Sequence, residues 1–100
     1  MSVVDVRITM VNGALVASPD VVQLSRSNGD TIKWHNDTTE GIQVNFTAGS
    51  PFPADRNPYP IAAGKQANSG NITVGEGTSW SYDITASSGM MADPQVIIER

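Results

Sequence analysis

The stretch Gly29-Asp30-Thr31-Ile32-Lys33-Trp34-His35-Asn36 decides how the chain is read. Apolar and polar residues alternate through it, the period of a strand with one face buried. Ile32 and Trp34 point one way; Thr31, Lys33 and His35 point the other. Trp34 carries the largest apolar surface of the run, so it belongs at the centre of a core. The single histidine of the chain, His35, is its neighbour and faces the opposite side.

Both flanks continue in strands. Upstream, Val4, Val6, Ile8 and Met10 share one face of an alternating run that ends at Asn12-Gly13. Both residues of that dipeptide tolerate positive φ, which favours a two-residue hairpin, and residues 14–17 are the returning strand. Pro19 breaks it. Residues 21–25 form a third strand, and Ser27-Asn28-Gly29-Asp30 is turn chemistry. Downstream, residues 36–41 are a polar loop, and residues 42–47 a strand with Ile42, Val44 and Phe46 inward.

Residues 48–60 hold four prolines, Pro51, Pro53, Pro58 and Pro60. Proline has no amide donor and a fixed φ, which excludes a helix or a central strand here. The segment reads as an ordered surface excursion anchored by Phe52 and Tyr59. Residues 66–74 and 79–85 predict two more strands, the second setting Trp80, Tyr82 and Ile84 against Ser81 and Asp83. Residues 86–93 read as a loop. Val96-Ile97-Ile98 is apolar on both faces, which places the closing strand inside a sheet. Seven or eight short strands, with turn signals between them and no helical period, predict an all-β fold. The expected architecture is an antiparallel β-sandwich, with residues 1–100 as one domain.

Composition narrows the function classes. The formal net charge is -4, and the six Lys and Arg stand singly along the chain. Without a basic patch there is no track for nucleic-acid phosphates and no polybasic hold on an anionic membrane. No apolar run approaches the roughly 20 residues of a membrane helix. Cysteine is absent, which removes disulfides, thiolate metal sites, iron–sulfur clusters and cysteine nucleophiles together. Met1-Ser2-Val3-Val4-Asp5 is not a charged n-region followed by an apolar h-region. That points to the cytoplasm, although a mature exported chain would begin the same way.

No catalytic constellation stands out. The ten carboxylates are scattered, and no close sequence pair offers the two environments that acid–base work needs. There is no Gly-x-Ser-x-Gly turn, and Gly75-Glu76-Gly77 lacks the helix that would hold an anion. Calcium-loop spacing is absent. The Asn-x-Thr triplets at Asn36, Asn45 and Asn71 matter only in a eukaryotic secretory protein.

In order along the chain, Pro19, Val21-Val22, the Gly29–Asn36 run, Val44-Asn45-Phe46, Tyr82-Asp83-Ile84, Met91 and Val96-Ile97-Ile98 resemble the cupredoxin pattern. Gly49-Ser50-Pro51-Phe52 and Asp93-Pro94-Gln95-Val96-Ile97-Ile98 narrow the likeness to small bacterial cupredoxin-like proteins of uncharacterised role. The resemblance spans almost the whole chain and implies a Greek-key sandwich. It also implies where a type 1 copper site, built from two His, one Cys and a weak axial Met, would stand. The first His falls eight residues past the Trp, where this chain has Ile42. The Cys falls near Ala86, and Ser87, Ser88 and Gly89 stand where a second His should follow. Met91 or Met90 alone matches a ligand position. The thiolate cannot come from elsewhere, so blue-copper electron transfer is excluded by composition.

The expectation is therefore a non-catalytic, copper-free cupredoxin-like module with no cofactor, working by protein contact or self-association. Phe52 and Tyr59 on the proline-rich excursion, and His35 on its strand face, are the candidate contact residues. The competing reading is a copper-handling protein that uses His35, Met90 or Met91, since thioethers suit Cu(I). Against it, one imidazole makes a poor site, and flexible thioethers commonly plug cores. A small enzyme ranks last.

Overall fold

The computed structural model describes residues 2–99; Met1 and Arg100 lie outside them. Eleven strands follow one another among the described residues: β1 (Val3–Val11), β2 (Ala14–Ser18), β3 (Val21–Leu24), β4 (Thr31–Asn36), β5 (Ile42–Asn45), β6 (Tyr59–Ile61), β7 (Gln66–Asn68), β8 (Thr78–Ser81), β9 (Asp83–Ala86), β10 (Met91–Ala92) and β11 (Gln95–Ile98). Among the described residues the one helical element is a 3₁₀ turn, Ala54–Arg56. The first layer has the order β2-β1-β4-β7. The second combines β10-β9-β5-β6 with β3-β11-β8, because β8 runs on into β9 and β10 into β11.

The sandwich stands as expected, with more and shorter strands and with two parallel pairs. β1 turns back at Asn12-Gly13, where both residues have positive φ, 50° and 79°, in the register Val11↔Ala14. The returning chain leaves the first layer at Ser18-Pro19-Asp20 and continues as β3 in the second. The next strand, β4, re-enters beside β1 running the same way, and the pair is parallel from Val3↔Thr31 to Ile8↔Asn36. β11 and β3 are parallel for the same reason. β11 lies between β3 and β8, in accord with a strand apolar on both faces.

Two further strand expectations are corrected. Residues 79–85 alternate without interruption, yet the chain breaks at Tyr82, whose amide donates to Pro94 O at 3.1 Å. Period two is unchanged when a strand passes from one partner to another, so the pattern cannot mark such a joint. Of residues 66–74 only Gln66–Asn68 pair with β4. Beyond them the buried Ser69 still donates its N–H to Ile32 O of β4 at 2.8 Å, whereas Thr73 N–H donates to Pro51 O at 2.8 Å, so by Thr73 the backbone has turned from the ladder to the proline-rich segment. Within residues 86–93, read as a loop, Met91–Ala92 pair with β9.

The core lies between the layers, centred on Trp34, which is fully buried. Its ring meets Tyr59 at 4.9 Å, Tyr82 at 5.8 Å, and Phe46 and Phe52 at 6.2 Å. Tilted and edge-on contacts of this kind add about 0.5–1.5 kcal/mol per pair beyond the area they bury. The polar tips are satisfied: Trp34 Nε1 donates to Tyr82 Oη at 3.1 Å, and Tyr59 Oη donates to Ser69 O at 2.7 Å.

Candidate functional site

The end of the sandwich where β1, β4 and β9 finish is the place to look for a site. The parallel β1–β4 register carries the hairpin tip past the last residue of β4. The loop of residues 37–41 then leads into β5, whose first residue Ile42 stands opposite Ala86, the last of β9. Both are buried, at 5% and 3% exposure. These are the positions that the resemblance assigns to the first His and the Cys. The register brings them side by side, but they offer a sec-butyl and a methyl group, neither of which can donate a lone pair to a metal.

The segment after Ala86 is closed by its own backbone. Ala86 N–H donates to Met90 O at 2.8 Å and Gly89 N–H to Ala86 O at 2.9 Å, with Gly89 at φ 96°. A turn this tight leads straight into β10. It leaves Met91 on an edge strand, 56% exposed, and Met90 half-buried against the core.

Three polar residues hold this end together. Asn36, the last residue of β4, continues the inward set of Ile32 and Trp34 and is fully buried. Its Nδ2 donates to Glu40 O at 2.8 Å and Ile61 O at 3.0 Å. Its Oδ1 accepts from Thr38 N–H at 3.0 Å and the Thr38 hydroxyl at 2.6 Å. Its own backbone pairs with Lys65 O and Gly64 N–H. Glu40 then reaches across, and its Oε1 accepts from Ser88 N–H at 2.8 Å. The Ser87 and Ser88 contacts hold the Glu40 carboxyl below its ordinary pKa. Neither Asn36 nor Glu40 was a candidate from sequence. The signal for Asn36 is its place on the inward side of the strand, since a buried amide must find partners.

The sequence candidates are not gathered into one site. His35 faces out from the first layer, with its side chain 15% exposed, and its Nε2 lies 2.7 Å from Asp5 Oδ1. It is thus more covered than an open strand face implies. That hydrogen bond is the first cause holding the Asp5 carboxyl below its ordinary pKa. β1 and β2 stand between β4 and β10; at about 4.8 Å per strand, His35 and Met91 share no coordination sphere. Phe52 and Tyr59 did tuck down as anchors, but they are 1% and 5% exposed. Their rings pack on Trp34 and present no surface to a partner, which corrects the expectation of a contact face there. Among the described residues no group of three or more His, Cys, Asp or Glu side chains comes together. No helix there is long and apolar enough to cross a membrane.

No protein-family model matches the chain, and no curated protein does. Solved structures match its fold. A multicopper oxidase from Pseudomonas parafulva superposes with a TM-score of 0.60 at 14% identity, over 96% of this chain and 29% of the oxidase. The chain therefore spans less than a third of that enzyme. A methionine-to-alanine variant of amicyanin with Cu(I) gives 0.58 at 13% identity, over 95% of this chain and 82% of amicyanin. A purple cupredoxin from Nitrosopumilus maritimus gives 0.52 at 16% identity, over 93% and 98%. At these identities the likeness is one of fold. This chain has the cupredoxin fold, and at the end where the resemblance would put type 1 ligands it carries Ile42 and Ala86, paired across the β5–β9 ladder.

Proposed function

We propose that the protein is a non-catalytic, copper-free interaction module that works by contact with another protein. One observation carries the reading: the paired positions at the loop end are an aliphatic pair, beside side-chain-to-backbone hydrogen bonds of Asn36 and Glu40, and among the described residues no His, Cys, Asp or Glu cluster stands there. Around that closed end the surface includes Met10, Val11 and Met91, at 36%, 49% and 56% exposure. Apolar side chains at the end of a rigid scaffold, beside its loops, are suited to recognition. The contact surface is thus assigned to the loop end rather than to Phe52 and Tyr59.

Calorimetric titration of the purified chain with Cu(I) and with Cu(II), alongside metal analysis as purified, tests the copper-free half. The expected result is no binding tighter than micromolar. Tight binding abolished by His35→Ala or Met91→Ala would restore the copper-handling reading. The contact half is tested by charging the loop end with Val11→Lys and Met91→Lys. Partners captured by the native chain should be lost from the double variant, and unchanged capture would refute the assignment.

A further inference from the structure

The lateral edges of the two layers are closed unequally. β2 lies against β10, and β6 against β7. β3 is the outer strand of its sheet. Asp20 O accepts from Gln95 N–H at 2.7 Å and Leu24 O from Glu99 N–H at 2.8 Å. In this parallel ladder Asp20, Val22 and Leu24 turn their backbone groups toward β11, so Val21 and Gln23 turn theirs outward. Both are exposed, Val21 to 44%. The strand Val21-Val22-Gln23-Leu24 has no charge and no proline, two of the devices that usually blunt an edge.

We propose that β3 pairs antiparallel with the β3 of a second copy of this chain, about a two-fold axis through Val22. In that register Val21 of each copy faces Gln23 of the other. All the outward amide and carbonyl groups of both residues are then used, and Val22 meets Val22 as the non-hydrogen-bonded pair. The β3-β11-β8 sheet continues into its copy, and Val21 is covered. Charge selects the antiparallel sense. Asp20 at the start of each strand comes to the end that leads into Arg26 of the other, whereas a parallel pairing would set like against like. The net charge of -4 on each copy opposes approach. The contact is therefore strengthened by salt and by pH falling toward the pI of about 4.6. This contact is separate from the loop-end surface proposed above, and the two can fail independently.

Sedimentation of the full chain from micromolar to millimolar concentration, with amide exchange on dilute and concentrated samples, tests the proposal. The expected result is a dimer that grows with concentration and salt, with slowed exchange at Val21 and Gln23 in the concentrated sample alone. Val21→Lys, and separately Gln23→Pro, which removes only an outward donor, should each weaken the dimer about tenfold or more. A chain monomeric at millimolar concentration overturns the proposal. So does a dimer indifferent to both variants, or one whose slowed amides cluster at Met10, Val11 and Met91; that last result would leave the loop-end reading standing. The exchange comparison uses the native chain and stands even where a variant fails to fold.

Discussion

The two halves of β4 are anchored by different physics. Around Trp34 the chain is held by surface: four aromatic rings crowd the indole, and most of the gain is apolar burial. Two residues on, Asn36 is just as deeply buried but is held by direction, through four side-chain hydrogen bonds that tie residues 37–41 to residue 61. Apolar packing accepts many shapes of side chain, while a buried amide is stable only if each of its partners is in place. Asn36, Thr38 and Glu40 thus supply the ties that shape the loop end.

The largest effect is expected in the packed half. Trp34→Ala removes the centre of the aromatic cluster and leaves the Tyr82 hydroxyl without its donor, at a cost of about 4 kcal/mol. Urea denaturation checks it; a loss below about 2 kcal/mol would mean the cluster can collapse around the gap. Asn36→Leu probes the other half. It keeps the branching of the side chain but strands the carbonyls of Glu40 and Ile61, so a loss of about 2–3 kcal/mol is expected. If Asn36→Leu is as stable as the native chain, the loop end is held by packing as well and the contrast fails.

Alkali should act on the packed half alone. Tyr59 and Tyr82 are the only tyrosines, and burial pushes both phenols up to about 12. Unfolded phenols ionise near 10. The stability that depends on neutral phenols is therefore complete below about pH 10 and is lost as pH rises toward 12. Tyrosinate absorbance should rise together with unfolding, and a tyrosine titrating near pH 10 in the folded chain would contradict its placement.

Glu40→Gln should have the smallest effect, confined to the loop end. The carboxylate contacts to Ser87 and Ser88 hold the Glu40 pKa down. This tie is present above the ordinary value of 4.5 and is lost as pH falls through the lower folded value. Faster amide exchange at Ser88 is expected in Glu40→Gln, and in the native chain at low pH, with Trp34 environment unchanged. Exchange at Ser88 indifferent to both would remove Glu40 from the set of ties.

Much of the fold was legible because it rests on local signals. The Asn12-Gly13 turn, the inward set Ile32 and Trp34, the inward set Ile42, Val44 and Phe46, and the doubly apolar β11 each follow from turn chemistry or period. The break at Tyr82 and the short β7 were not legible, since they depend on which distant segment, Pro94 or Pro51, takes a backbone group. Phe52 and Tyr59 were read as anchors, but a proline-rich segment does not say how deeply its rings go; Trp34 and Ser69 settle that. Of the candidate site, the missing ligands were visible at Ile42 and Ala86. The polar ties at that end were not, because Glu40 and Ser88 are 48 residues apart.

The most direct test of the proposal that the loop end binds no copper is thermal unfolding of the native chain with chelator, with Cu(I) and with Cu(II). A ligand present at one hundred times its dissociation constant adds about 2.7 kcal/mol, which would raise the melting temperature of a domain this size by roughly 10 °C or more. The same melting temperature is expected in all conditions, within about 1 °C. A fall with chelator, or a rise of that size with either copper ion, would contradict it.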